Sequence, residues 1–290
     1  MGSLPGTASA ETGTGSRLDN MLEEVVITAR KREEGLQDAP LAVTAFSGES
    51  LEARGITNIQ DIGSITPNMT YVNNPQAGGA SSVATVYIRG VGQRDFLGTI
   101  DNGVGFYIDG VYIARTIGAT VDLVDVERVE VLRGPQGTLF GRNNVGGAIA
   151  LYNRKPYGEF AGHVEGTVGT DDLARLKLSL NTPLTDSLFA NFAALDSRQD
   201  GYVDRPAGGD LGDDNSTSYR GSLLWQPTDA LEVQLSGDYS EVNENGAAFT
   251  LLSAGTLAPG GFAGFYNNVT AAGSCAYPGG ITTTNPACYN

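Results

Sequence analysis

The chain has 290 residues, 40% of them hydrophobic, and a formal net charge of −15. So acidic a surface excludes a nucleic-acid partner, whose phosphates need a basic face, and a single histidine excludes a His-cluster metal site. No apolar run reaches the roughly 18 residues of a transmembrane helix, so any membrane role falls to strands.

Met1–Asn20 is small and polar and lacks the apolar segment of a signal peptide. Leu22–Arg30 (LEEVVITAR) is a short β-prone run, and Lys31–Gln37 reads as a charged hinge. From Asp38 to Asn68 the pattern is a small α/β unit. Leu41, Val43 and Ala45 alternate as a strand, and Ser47–Ser50 caps a helix continuing through Leu51–Arg54. Thr57 or Asn58 caps a second short helix, with Ile59, Ile62 and Ile65 inward and Pro67 at its end.

Asn73–Ser82 is a polar loop. Val83–Gly90 is a strand ending in Ile88-Arg89-Gly90, followed by loops at Gly92–Thr99 and Asp101–Gly105. Phe106–Ile108 and Val111–Ile113 flank Asp109-Gly110, the signal of a two-residue type I′ hairpin. Thr120–Val126 is expected to be a short helix.

It leads into the stretch that organises the chain, VERVEVLRGPQGTLFGRNNVGGAI (126–149). Val129 and Val131 point to one side of a strand, Glu130 and Leu132 to the other. Arg133-Gly134-Pro135 breaks the strand. The glycines that follow alternate with single large apolar residues (Leu139, Phe140, Val145, Ile149), which describes a compact, turn-rich segment and not a Gly/Ser linker.

After Pro156 the period becomes two. Strands are expected near 161–169, 173–181, 187–199, 217–226 and 230–242, with short turns at Asn181–Asp186 and Pro227–Asp229 and long connections at Gly201–Ser216 and after Asn243. A soluble sandwich and a membrane barrel share this alternation. Unequal connection lengths and aromatics near strand ends point to the barrel. Cys275 and Cys288 lie in a Gly/Thr/Asn/Pro-rich segment; they are either free thiols or, in an oxidising compartment, a disulfide adding ~3 kcal/mol.

Three blocks, VYIRGVGQRDF (86–96), DNGVGFYIDGVY (101–112) and 126–149, resemble the plug domain of TonB-dependent outer-membrane receptors, in the family's order. The resemblance implies an α+β plug domain followed by antiparallel transmembrane β-barrel strands. The expected boundaries are a flexible segment (1–37), the plug (38–156) and the first strands of a barrel (157–290). Transporters of this family have 22-stranded barrels. Five strands leave the barrel incomplete, so the chain is expected to be an N-terminal fragment.

The resemblance also implies roles. Glu24, Val25, Val26, Ile27, Thr28 and Ala29 sit where the TonB box lies, a mobile segment able to add a strand to TonB. Arg89 and Arg133 match arginines that latch the plug to glutamates of the barrel wall, with Glu127 and Glu130 as further members of that network. Ligand contacts are expected on Asn73–Ser82, Gln93–Thr99 and Thr116–Thr120, with Arg94, Asp95 and Phe96 foremost. The implied activity is uptake of a scarce nutrient, most often a ferric siderophore, across the outer membrane of a Gram-negative bacterium. The partners are TonB and outer-membrane lipid, with no cofactor. The rival is a stand-alone soluble plug-like binding module.

Enzyme motifs fail. Gly90-Val91-Gly92 and Gly103-Val104-Gly105 lack the third glycine of a dinucleotide fingerprint, and no lysine follows the 141–147 glycines as a phosphate loop requires. His163, the lone histidine, lies on an expected barrel strand.

Overall fold

The computed structural model describes residues 26–27, 34–35, 40–73, 83–93, 101–115, 121–204 and 209–246. Two-residue strands β1 (Val26–Ile27) and β2 (Glu34–Gly35) pair antiparallel, so part of the expected hinge is extended and paired. β3 (Val43–Ser47) runs into α1 (Gly48–Ala53), where the Ser47 hydroxyl accepts the Ser50 N–H at 3.2 Å. Asn58 caps a 3-10 turn (Ile59–Asp61) by accepting the Gln60 N–H at 3.0 Å, and α2 (Ile62–Ile65) follows.

β4 (Met69–Asn73), β5 (Ala84–Ile88) and β6 (Val91–Gln93) form a three-stranded meander. β4 was not expected, and β6 takes residues expected as loop. β7 (Val104–Ile108) and β8 (Val111–Ile113) form the expected hairpin, with Asp109 at φ 48 and Gly110 at φ 81 as a type I′ turn requires.

The helix expected over Thr120–Val126 is overturned where it is described. Val121–Asp125 is not helical, with an isolated bridge at Asp122 and bends at Val124 and Asp125, and Val126 already belongs to the next strand. Valine and aspartate are poor helix formers, and the 3-10 turn takes up this backbone. Ile59 N–H donates to Val121 O at 3.1 Å, Leu123 N–H donates to Thr57 O at 2.8 Å, and Asp122 bridges Asn58.

β9 (Val126–Arg133), the one-turn α3 (Gly137–Phe140) and β10 (Gly147–Asn153) complete the plug. The sheet order is β3-β9-β10-β7-β8, with β10 antiparallel to β9 and parallel to β7. The sequence pattern missed β10, hidden behind the glycines of its first turn. Both faces of this sheet are covered. Val129, Val131, Ile149, Leu151 and Phe106 pack with Leu51, Ile59 and Ile62. On the other side Leu132, Tyr107, Ala148 and Ala150 pack with Ile27.

The second body is an antiparallel meander of five strands, β11 (Ala161–Val168), β12 (Ala174–Thr185), β13 (Leu188–Arg198), β14 (Ser216–Thr228) and β15 (Leu231–Val242). All five match expectation to within a few residues. β12 and β14 continue through most of the expected turns, each across a register irregularity, which leaves only two residues at 186–187 and 229–230. β11 and β15 are the edges of the sheet among the described residues. No helix among the described residues is long and apolar enough to cross a membrane.

Candidate functional site

The five-stranded sheet has its burial inverted. Leu176, Leu178, Leu180, Phe192, Tyr219, Leu223, Trp225, Leu235 and Tyr239 share one face and are exposed. On the opposite face Asn181, Asn191, Ser197, Ser218, Arg220 and Ser222 are buried. A soluble sandwich buries its apolar face and wets its polar one. A barrel wall shows lipid the apolar face and keeps the polar face inside. Strands of 11 to 13 residues in β12–β15 are long enough to span a bilayer when tilted.

The buried polar face meets the plug. Lys177 of β12 donates to Glu52 of α1 at 2.6 Å. Arg175 donates to the Thr57 hydroxyl at 2.9 Å and reaches Asp214 at 3.6 Å. Ser216 of β14 donates to Asp122 at 2.8 Å. Arg220 of β14 pairs with Asp109 in the plug hairpin. In these two ionic contacts the plug brings the acid and the wall the base; at the exposed end Lys155 and Glu232 of β15 pair at 2.9 Å in the opposite sense. A polar cavity of about 200 Å³ lies along this seam, with Glu49, Glu52, Asp125, Arg154, His163 and Lys177 among its lining.

Burial is the main force on the plug carboxylates here. It pushes Asp122 above its ordinary 3.8, with hydrogen bonds from Ser216 and Asn58 pulling down and Asp214 pushing up. Burial likewise raises Asp61 and Asp125, against Asn58 and Arg175 for the first and Arg154 and Lys177 for the second.

The expected latch residues separate into two groups. Arg89 lies in the β5–β6 turn at φ 53, with Gly90 at φ 78, and is exposed. A left-handed arginine costs about 1 kcal/mol or more, so this is a strained position. Its guanidinium packs beside Gly134, where an added Cβ would come within 3.2 Å of Nη1. Gly134 itself has φ 111, so no side chain fits there comfortably. Arg133 is half-buried and its Nε has no hydrogen-bond partner. Arg89 and the Arg133-Gly134 corner are therefore brought together, and neither side chain meets a carboxylate among the described residues.

Glu127 and Glu130 are not joined to them. Both pair with Arg128, Glu130 accepting from Nε at 2.9 Å. The cause is the period of two, which puts Arg128 and Glu130 on one face of β9. Arg128 also lies 4.0 Å over the Tyr152 ring.

Of the TonB-box stretch, Val26 and Ile27 are described. Ile27 is 0% exposed, packed against the second face of the plug sheet, and so is held where the sequence suggested a mobile segment. Glu24, Val25, Thr28 and Ala29 lie outside the described residues. So do Arg94, Asp95 and Phe96, the loops at 74–82 and 116–120, and Cys275 and Cys288.

Residues 35–148 match the family model of the TonB-dependent receptor plug domain. The pesticin receptor of Yersinia pestis is 32% identical over 233 residues, covering 78% of this chain and 32% of that protein. The vitamin B12 transporter BtuB of Vibrio vulnificus is 27% identical over 223 residues, covering 74% of this chain and 34% of that protein. Among solved structures, the ferric yersiniabactin uptake receptor FyuA from Yersinia pestis superposes with a TM-score of 0.62 at 29% identity, over 69% of this chain and 31% of that one. The chain spans about a third of the length of these relatives. A matched plug model, relatives aligned beyond it into the strands, and a polar-inside wall packed on the plug agree: the chain belongs to the TonB-dependent receptors.

Proposed function

We propose that the chain forms the plug and first wall strands of an outer-membrane receptor that takes up a ferric siderophore. The observation that carries the reading is the plug seated on the buried polar face of a sheet whose other face is apolar and exposed. That arrangement suits a gate inside a lipid-facing wall. The substrate class is supported by the likeness to the ferric yersiniabactin uptake receptor.

In this reading Glu24–Ala29 is the strand offered to TonB, and release of Ile27 from its pocket is part of making it available. Arg89 and Arg133 serve as the latch, and their partners are carboxylates of wall strands beyond those described. The protein works as a transporter and not as an enzyme.

The test is accumulation of 55Fe-siderophore, against labelled cobalamin, in cells whose uptake depends on the receptor carrying this chain. The expected result is iron uptake that requires TonB and is abolished by Ile27→Pro with normal membrane insertion. Cobalamin uptake instead would overturn the substrate class, and uptake independent of TonB would overturn the mechanism.

A further inference from the structure

We propose that Asp109 and Arg220 form a fixed tie between the plug and the wall, anchoring the hairpin end of the plug sheet at the end opposite Arg89 and Arg133. The inference rests on the plug-and-wall reading, and it assigns the pair a positioning role.

Asp109 is set by the plug alone. Its backbone N–H donates to Leu151 O at 2.9 Å. Its two carboxylate oxygens accept the Asn153 N–H at 2.8 Å and the Asn153 side-chain amide at 2.9 Å. The carboxylate is thus held rigidly at the shared end of β7 and β10, the parallel pair in the sheet. Arg220 reaches the same Oδ2 from β14, across 111 residues of sequence.

Arg220 needs this partner. Its side chain is 9% exposed, and among the described residues the only other carboxylate paired with it, Asp238 on β15, lies at 3.6 Å and is itself mostly exposed. A buried guanidinium without a carboxylate costs several kcal/mol. The geometry also supplies a direction. β7 and β10 run from the Gly103, Gly146 and Arg133 corner to the Asp109 and Asn153 end. A plug held at one end by a preformed ion pair and at the other by arginines without described carboxylates rearranges first at the arginine end.

The hairpin permits a clean test, because Asn-Gly satisfies a type I′ turn as well as Asp-Gly. Asp109→Asn keeps the turn and removes the charge, Arg220→Gln removes the other partner, and Asp238→Asn is the control. Hydrogen exchange is measured on the whole receptor carrying this chain, in lipid vesicles. Each of the first two variants is expected to speed exchange of the 108–111 amides about tenfold, with the double variant no faster than either single, as coupled residues behave. Asp238→Asn is expected to leave them unchanged, and all three to leave 88–91 unchanged. Additive effects, or exchange at 108–111 unmoved by Arg220→Gln, would overturn the tie. Equal acceleration at 88–91 would overturn its restriction to the hairpin end. None of these readouts depends on which nutrient is carried, so failure of the tie is separable from failure of the uptake reading.

Discussion

Arg128 donates from Nε to a Glu130 carboxylate that is completely buried, 2.9 Å away and two residues along the same strand. β9 is paired on both sides, by β3 and β10, so this ion pair lies in the middle of the plug sheet. Removing Arg128 takes from the buried carboxylate the charged donor it accepts at 2.9 Å. Arg128→Met is expected to destabilise the plug by ~3 kcal/mol, since aliphatic packing on Tyr152 replaces only part of what is lost. Denaturant titration checks this. A change under about 1 kcal/mol would mean that Glu130 is satisfied without Arg128.

Asp122 links plug stability to pH. Burial holds its folded-state pKa above 3.8, so the folded form binds protons more readily than the unfolded one. Stability attributable to this group therefore rises as pH falls from neutral through the raised value, and levels off below 3.8. Asp61 and Asp125 act in the same direction. Asp122→Asn is expected to be more stable than the parent at pH 7 and to flatten the dependence between pH 7 and pH 4. Unfolding titrations at the two pH values measure both, and a steeper dependence in the variant would contradict the assignment.

Gly48 opens α1 with no room for a side chain, because an added Cβ would fall 2.0 Å from Val126 O. The obstacle is backbone of the central strand and cannot rotate away. Gly48→Ala is expected to cost ~2 kcal/mol or more through displaced backbone. The same titration checks it; a neutral result would require α1 to shift freely on β9.

Which face of the wall meets lipid is tested by adjacent residues. Leu178 lies on the apolar face and Ser179 on the side lining the polar seam. Leu178→Arg is expected to lower stability in bilayers by ~2–4 kcal/mol, the effect of a cation near the midplane, and Ser179→Arg much less. Folded fractions in lipid vesicles across a urea series decide the sign.

The sequence announced the wall strands well, because alternation with period two survives whichever face is buried. It announced the hairpin at Asp109-Gly110 because an Asp-Gly pair suits the two successive positive φ values of a type I′ turn. It failed at β10, whose opening glycines read as turn, and at Val121–Val126, where tertiary pairing with Asn58 and Thr57 overrode a helical expectation. The Asp109–Arg220 contact was beyond reach, since nothing local relates residues 111 apart. One signal was available: Arg175, Lys177 and Arg220 all lie on the polar side of wall strands, and buried cations demand acids. The pairing of Glu130 with Arg128 was within reach of a period-two argument.

Trp225 gives the most direct test of the central claim. It is the single tryptophan of the chain, 47% exposed on the apolar face of β14. Its fluorescence in vesicles of acyl-chain-brominated lipid reports whether that face touches hydrocarbon. A plug packed inside a lipid-facing wall predicts strong quenching by the bromines and little by aqueous acrylamide. Full access to acrylamide with no quenching by brominated lipid would contradict it and leave a water-soluble, plug-like binding module.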